Sequence, residues 1–318
     1  MPSHWYYDRD ALDRDYGDFD DYQSPRNPHP DSILWRSSYS PIGPKADIIR
    51  EQVKFWGKKG VHYHQFLSAG ENTLNLKLSV ELYRWIILQG AFDLNSWLKR
   101  YAHVMLCPGW HQDTYVEEYH RNFFTNYARG NRLDHCGSKD FHIGALSLIP
   151  GLLAGLEALD ITEPATLIEH VVSLVRATHD HANSLRAAAD LTRILLHVSD
   201  GEPIRKVLTE LPIPGVSVSQ FMNWVDLPDR VIVGEKLSTA CYLPESFVAS
   251  LYFAWKYHDD FSLGLLQNAK VGGDNCHRAV VTGSILGIGC GVPRKWLRNL
   301  ASMEDLRCDL RVAKGLSL

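Results

Sequence analysis

Four polar residues follow the glycine pair in the sequence KVGGDNCH: Asp274, Asn275, Cys276 and His277. Aspartate is a favoured residue at a helix N-cap, and two glycines allow a tight turn and the close approach of a ligand to the backbone. The small residues that follow predict a closely packed helix, whose N-terminus favours an anion or metal-binding carboxylates. A carboxylate and an imidazole are metal ligands, and a thiol in the first turn of a helix is a candidate nucleophile.

A second group of polar residues precedes another predicted helix. Glu71 and Asn72 stand immediately before an apolar repeat, and His62 and His64 lie a few residues upstream. In an extended segment alternate side chains point to the same side, so we expect both histidines to face one pocket. The sequence therefore predicts a site between the Glu71 loop and the start of the Asp274 helix.

Apolar residues at spacings of three and four predict the helices that must position these groups. The predicted helices cover residues 46–58, 73–89, 113–128, 144–159, 164–179, 182–198, 244–258, 261–269 and 274–287, with a last helix near 303–313. The only strand-like alternation is at residues 231–233. We therefore predict an all-α fold, with one helical domain at residues 46–318 and an irregular, proline-rich arm at residues 1–45.

The composition excludes several classes of protein. The 318 residues are 45% hydrophobic and 22% charged, which is typical of a globular chain rather than a disordered or membrane protein. A net charge of −4 does not favour a nucleic-acid or anionic-membrane partner, and no apolar run is long enough to span a bilayer. The six cysteines form no CxxC pair and the N-terminus has no signal-peptide pattern, so we predict a cytoplasmic protein with reduced thiols.

Histidines are also frequent in the middle of the chain. They are His111, His120, His135 and His142, with Cys136 among them. Their spacing fits no standard zinc pattern, so we predict solvated or hydrogen-bonded surface residues.

The glycine-pair segment resembles the closing signature of the ADP-ribosylglycohydrolase family, in which GGDxDT precedes a helix of small residues and an end like G-I-P-x-x-W. Residues 291–296, GVPRKW, match that end. Segments similar to other family motifs stand in the same order: 68–74 for T-D-D-T-Q, 145–150 for A-M-R-x-x-P, 178–181 for T-H-x-x, and 242–254 for the helix before the signature. The resemblance covers roughly residues 60–300.

This resemblance implies the family's single compact orthogonal multi-helix fold. It also implies a hydrolase that uses two magnesium ions to cleave a glycosidic or C–N bond at the anomeric carbon of ADP-ribose. The chain departs from the pattern at the metal positions, because Cys276 replaces the second aspartate and His277 replaces the threonine. Magnesium prefers oxygen ligands, so a magnesium pair is not expected, and a single divalent ion is the alternative.

Three interpretations of the altered site remain open. In the first, one ion such as zinc is held by Glu71, Asp274 and His277, and the protein is a hydrolase. In the second, Cys276 is a metal-free nucleophile with His62 or His64 as its base and Glu71 as orienting acid; His277 is a poorer partner because adjacent helical residues diverge by about 100°. In the third, the protein binds a ligand or has a structural role without catalysis.

The predicted roles are shared among the residues of the two loops. Catalysis is assigned to Glu71, Cys276 and His277, and substrate binding to Asn72, Asn275, His62 and His64. The expected partner is a small molecule or an ADP-ribose-like ligand, with no nucleic acid and no membrane.

Overall fold

The structure, a computed structural model, describes residues 38–58, 61, 64, 66–303 and 306. Across these residues the chain is helical and contains only isolated bridges and no strand, which confirms the predicted all-α class. None of the described helices is long and apolar enough to cross a membrane. Most of the predicted arm and most of the predicted last helix lie outside the described residues.

The described helices fall into two compact units. The N-terminal unit takes its described residues from 22–140, 148–181 and 298–318, and the C-terminal unit takes them from 141–147 and 182–297. The N-terminal unit contains α1 (Leu74–Gln89), α2 (Leu94–Met105), α3 (Glu118–Ala128), α4 (Ile149–Ala158) and α5 (Pro164–Arg176). The C-terminal unit contains α6 (Ala182–Ser199), α7 (Ile204–Glu210), α8 (Val218–Trp224), α9 (Asp229–Val231), α10 (Glu245–Lys256), α11 (Phe261–Lys270) and α12 (Asn275–Gly289), and a short α13 (Arg294–Asn299) follows.

The core of the N-terminal unit is the contact between α1 and α4. Gly151 in α4 lies so close to α1 that an added Cβ would be 2.1 Å from the carbonyl oxygen of Ser79. Its backbone N–H donates to the Ser79 hydroxyl at 3.2 Å. The apolar side chains of Leu152 and Leu156 on α4 are fully buried. Small residues at the contact therefore allow the two helix backbones to approach closely.

The core of the C-terminal unit is built around α12, which packs on α6, α10 and α11. Its residues Val281 and Ile285 are fully buried. Thr282 donates its hydroxyl to the carbonyl of Ser250 in α10 at 3.1 Å, so that polar side chain is also satisfied. The sequence predicted that the small residues of α12 allow close helix packing. The contacts of α12 with α6, α10 and α11 agree with that prediction.

Several local predictions were wrong. Residues 231–233 are not a strand. Helix α9 ends at Val231, and the chain continues through a turn at Ile232–Lys236 in which Val233 and Gly234 leave the helical conformation. Local hydrogen bonds close this turn, from Gly234 N–H to Leu237 O at 2.7 Å and from Leu237 N–H to Ile232 O at 2.8 Å. The predicted helix at 46–58 is only a 3₁₀ helix at Arg50–Phe55, and the predicted helix at 144–159 divides into a 3₁₀ helix at Ile143–Leu146 and α4.

Helix α2 was absent from the prediction, although its signals are present in the sequence. Asp93 caps it by accepting from the N–H of Ser96 at 2.7 Å. Its buried residues recur at helical spacing, as at Trp97, Leu98 and Tyr101. The cap and this spacing are the pattern of an amphipathic helix, so the sequence contains the signals that predict α2.

Candidate functional site

Three side chains of the C-terminal unit come together at the start of α12: His142, Asp274 and His277. One ligand atom from each lies within 4.8 Å of the others. The Nδ1 atom of His277 is 2.7 Å from Oδ1 of Asp274, and Nε2 of His142 is 3.7 Å from Oδ2 of Asp274. The two imidazole rings meet edge to face with their centroids 4.9 Å apart. Across the described residues this is the one group of three or more such side chains that could hold a metal ion.

The turn before α12 places Asp274. Gly273 has a φ of +66°, and an added Cβ would lie 2.2 Å from the carbonyl oxygen of Thr239, so only glycine fits there. The N–H of Asp274 donates to the same carbonyl at 3.0 Å. Asp274 is the N-cap of α12, as the sequence predicted, and its Oδ1 accepts from the N–H of His277.

His142 is placed by an isolated antiparallel bridge to Tyr242. The N–H of Ile143 donates to Cys241 O at 2.7 Å, and the N–H of Leu243 donates to Phe141 O at 2.8 Å. His142 also caps the following 3₁₀ helix, since its Nδ1 accepts from the N–H of Gly144 at 2.8 Å. The backbone therefore fixes both the position and the orientation of this imidazole.

These contacts determine which ring nitrogen carries the proton in the neutral form of each histidine. A carboxylate only accepts hydrogen bonds, so Nδ1 of His277 carries a proton toward Asp274 and the neutral ring keeps its lone pair on Nε2. In His142 the Nδ1 atom is the acceptor, so the neutral ring carries its proton on Nε2, directed at Asp274. The carboxylate is thus approached by one N–H group from each ring.

Burial and charge shift the pKa values of two members of the cluster. Burial acts to raise the pKa of Asp274, but His277 and, less strongly, His142 and Arg278 favour the carboxylate, and the pKa lies well below its usual range. Burial and the neighbouring His277 lower the pKa of His142 to about 3, against the opposing effect of Asp274. Asp274 is therefore an anion and His142 is neutral at physiological pH.

Arg278 reinforces the same turn from inside the unit. Its side chain is completely buried. It donates to the side-chain oxygen of Asn268 at 3.0 Å, to Thr239 O at 3.2 Å and to Gly272 O. The guanidinium group thereby connects α11, the segment before α10 and the glycine turn, which are the pieces of backbone that surround Asp274.

The other two residues of the predicted signature differ in their surroundings. The side-chain amide of Asn275 donates to Ala269 O at 3.3 Å, and the backbone carbonyl of Asn275 accepts from the Asn268 side chain at 2.8 Å, so Asn275 joins α12 to α11. Cys276 is half-buried in the first turn of α12 and is not in a disulfide. The structure brings Asp274 and His277 together, and it gives Asn275 a helix-joining contact.

The residues predicted from the Glu71 loop belong to the N-terminal unit. Glu71 is exposed and accepts from the N–H of Ser68 at 2.6 Å, while the Asn72 amide donates to the Ser302 hydroxyl at 3.1 Å. His64 forms a hydrogen bond through Nδ1 with the buried carboxylate of Asp113. His62 lies outside the described residues. The predicted roles of these four residues in catalysis, metal binding or substrate binding stay predictions.

Sequence reasoning missed His142 as a site residue and treated it as one of several surface histidines. Its position just before the 145–150 motif was the available signal. Two other histidines of that group are not on the surface either: His111 is bound to Ile48 O at 2.7 Å and His120 to the side chain of Asn75 at 3.1 Å, and both are buried. Spacing along the chain could not reveal this, because their partners are distant in sequence.

The donor set in the C-terminal unit does not suit a pair of magnesium ions. Magnesium takes near-octahedral oxygen ligands, whereas these side chains supply two imidazoles and one carboxylate. The same set is one that a single zinc-type ion accepts. If Nε2 of His142 bound an ion, the single proton of the neutral ring would lie on Nδ1. Nδ1 could then no longer accept from the N–H of Gly144, so that hydrogen bond would have to break.

The fold and the site define an all-helical protein with a carboxylate–imidazole cluster at the start of a helix of small residues. The sequence model of the ADP-ribosylglycohydrolase family matches residues 29–316, and the chain belongs to this family of hydrolases. Among 41 matching chains of solved structures, one named "ADP-ribosylglycohydrolase-related protein complex" is 21% identical, with a TM-score of 0.57, covering 79% of this chain and 84% of that chain. That likeness concerns the fold. No curated protein matched the sequence.

Proposed function

We propose that the protein hydrolyses a glycosidic or C–N bond at the anomeric carbon of an ADP-ribose-like substrate, at the His142–Asp274–His277 cluster. The observation that carries the proposal is the 2.7 Å hydrogen bond between Asp274 and Nδ1 of His277. A carboxylate that holds one imidazole nitrogen leaves the other nitrogen able to accept a proton, which is the arrangement of a general base.

In this mechanism Nε2 of His277 takes a proton from water while the water oxygen forms a bond to the anomeric carbon. The bond to the leaving group breaks with its electron pair on the leaving atom, which takes up a proton from solvent, and the His277 imidazolium then returns its proton to solvent. Asp274 remains ionised and stabilises the imidazolium, as its lowered pKa favours. Its Oδ2 is buried without a hydrogen-bond partner, so a substrate hydroxyl could donate to that atom.

If the site uses a metal, we propose one divalent ion of the zinc type rather than a magnesium pair. His142, Asp274 and His277 would hold it, and Glu71, which was predicted as a ligand, belongs to the N-terminal unit. Such an ion lowers the pKa of a bound water toward neutrality. The side chains keep their roles in binding and orientation in either case.

The test is release of ADP-ribose from arginine-linked, serine-linked and O-acetyl substrates, each with magnesium, zinc or a chelator. Turnover that survives the chelator supports the base mechanism, and turnover only with zinc supports the single-ion site. Elemental analysis of the purified protein decides independently whether an ion copurifies. No turnover under any condition would remove the hydrolase proposal, and stabilisation by ADP-ribose without turnover would favour a ligand-binding protein.

A further inference from the structure

The turn that carries Asp274 is built from two glycines in the left-handed region. Gly272 has a φ of +73° and Gly273 has a φ of +66°. Glycine loses more conformational freedom on folding than any other residue, so a turn made of two glycines is held in one geometry only by contacts with other groups. Groups outside the turn must therefore bind its backbone if Asp274 is to keep one position.

The side chain of Arg278 supplies such contacts. Its guanidinium group donates to Gly272 O and, at 3.2 Å, to Thr239 O. The N–H of Asp274 donates to the same Thr239 carbonyl at 3.0 Å. A third bond, from Nε of Arg278 to the side-chain oxygen of Asn268 at 3.0 Å, fixes the plane of the guanidinium group. One side chain therefore holds both the first glycine of the turn and the carbonyl to which the Asp274 N–H is bonded.

An arginine suits this task better than any other cationic residue. Five donors in a planar fork allow it to bind three acceptors at once, whereas the ammonium group of lysine is a point charge on a flexible stem. The Arg278 side chain is completely buried, so it is not in a position to contact a substrate. Any effect of Arg278 on the reaction must therefore pass through Asp274 and its partner His277.

We propose that Arg278 is a positioning residue of the candidate site, which holds the Asp274 carboxylate where it keeps the His277 proton on Nδ1. The proposal rests on the proposed hydrolase function and adds a residue that acts on the base without touching the substrate. The tautomer of an imidazole is set by the hydrogen bond that one of its nitrogens makes. If the turn relaxes, the bond between Asp274 and His277 weakens. Nε2 of His277 then carries the proton in part of the molecules, and it is no base in those molecules.

The first measurement is the tautomer of His277, which needs no turnover. Two-dimensional ¹H–¹⁵N spectra of the full chain with labelled histidine, recorded where the ring is neutral, show which nitrogen carries the proton, and His277→Gln identifies the signals. The unaltered protein should hold this proton on Nδ1. Arg278→Lys keeps the charge but not the fork of donors, and Arg278→Met removes both, so the Nε2-protonated form should appear in each variant.

The second measurement is catalysis with the ADP-ribose-linked substrate that the unaltered protein turns over. Both Arg278 variants should lower kcat by at least about ten-fold, because a positioned base contributes about 10²–10⁴-fold and small displacements forfeit much of that contribution. KM should change little, since Arg278 does not contact the substrate. Should Arg278→Met not fold, Arg278→Gln, which keeps an amide donor to the turn, gives the same test.

Thr282→Val is the matched control for lost stability. Thr282 lies one turn further along α12, is also completely buried, and donates its hydroxyl to Ser250 O at 3.1 Å. Valine has a similar shape without the hydroxyl, so this variant should lower the melting temperature and leave both kcat and the His277 tautomer unchanged. Thermal melting of every variant shows how far each change destabilises the fold.

Several results would overturn the proposal. One is a His277 proton on Nε2 in the unaltered protein, and another is a proton that stays on Nδ1 in the folded Arg278 variants. If Arg278→Lys behaves like the unaltered protein, the charge matters rather than the three hydrogen bonds. If Thr282→Val loses as much kcat as the Arg278 variants, the role of Arg278 is only structural.

The two measurements separate this proposal from the function on which it rests. No turnover of any substrate would remove the hydrolase, and the tautomer of His277 would still decide the role of Arg278. Turnover by the unaltered protein, with the same kcat and the same tautomer in the Arg278 variants, would keep the hydrolase and remove the positioning role.

Discussion

Hydrogen bonds determine what each imidazole of the cluster can do. The bond from Nδ1 of His277 to Asp274 leaves Nε2 with its lone pair, while the bond from Gly144 to Nδ1 of His142 leaves that ring with a proton on Nε2. The two histidines therefore have opposite properties at the same carboxylate. His277 suits a base, and His142 suits a donor that steadies Asp274.

The first prediction concerns the base. His277→Gln and Asp274→Asn should each lower kcat by about 100-fold or more, since a positioned general base contributes ~10²–10⁴-fold. Cys276→Ser is the matched control in the same helical turn and should retain near-normal kcat. The measurement is initial rate at saturating substrate, with circular dichroism to verify folding. Loss of activity in Cys276→Ser but not in His277→Gln would instead favour the thiol as nucleophile.

The second prediction concerns pH and the stability of the fold. The unfolded chain protonates His142 below a pH of about 6.5, whereas the folded protein does not until about pH 3. The unfolded state thus binds more protons in this window, so the free energy of unfolding falls as the pH falls from 6.5, by at most about 1.4 kcal/mol per pH unit for this group.

His142→Asn should flatten that dependence between pH 6.5 and 4.5, as measured by urea unfolding at several pH values. His135→Asn is the control, because the side chain of His135 is 70% exposed and should contribute little to the slope. An unchanged slope in His142→Asn would show that the folded protein protonates His142 in the ordinary range.

At the scale of elements, the glycine turn and the start of α12 both pack against the backbone carbonyl of Thr239. Gly273 approaches Thr239, the N–H of Asp274 bonds to the same carbonyl, and Arg278 donates to that carbonyl from the next helical turn. The position of the Asp274 carboxylate therefore depends on a backbone contact that a side chain at Gly273 would prevent.

The third prediction tests that contact. Gly273→Ala should lower the free energy of unfolding by several kcal/mol and reduce activity, because its φ of +66° disfavours alanine and the Cβ would lie 2.2 Å from a carbonyl oxygen. Gly201→Ala is the matched control: it has a φ of +87° but no atom within 4 Å of the added Cβ. Thermal melting should show the control losing only about 1–2 kcal/mol. Equal losses at the two positions would mean that the contact with Thr239 adds nothing.

At the scale of the whole molecule, the described residues of the C-terminal unit come from two separate segments of the chain. The first is the short segment Phe141–Ser147, which supplies His142. The second is Ala182–Leu297, which supplies Asp274 and His277. The short segment packs on α6 and α12, and its residues Ile143 and Leu146 are fully buried. The segment is thus part of the core of this unit as well as of the site.

The fourth prediction follows from this chain path. A fragment of residues 182–297 should fail to melt cooperatively, or should melt well below the intact chain, because it lacks the core side chains and bridge of residues 141–147. Circular dichroism and the dispersion of amide NMR signals measure this against the full chain. A fragment with native dispersion and an unchanged melting temperature would show that the segment is dispensable for folding.

The sequence by itself determined the helical class, the family and the strongest motif of the site. Helical periodicity is local, and a helix cap such as Asp274 acts on residues three positions away, so both can be read along the chain. The same local reasoning placed Asp274 and His277 at the start of one helix. It failed at residues 231–233, where local hydrogen bonds close a turn through a segment whose sequence alternates like a strand.

Only the tertiary structure decided that His142 joins the carboxylate and that its proton lies on Nε2. Its partners Asp274 and Tyr242 are 132 and 100 residues away along the chain, and no periodicity links positions so far apart. Burial of that ring and the hydrogen bond from Gly144 arise from packing of the whole C-terminal unit. Motif spacing shows which residues can do chemistry, whereas long-range packing determines which of them meet and which atoms carry the protons.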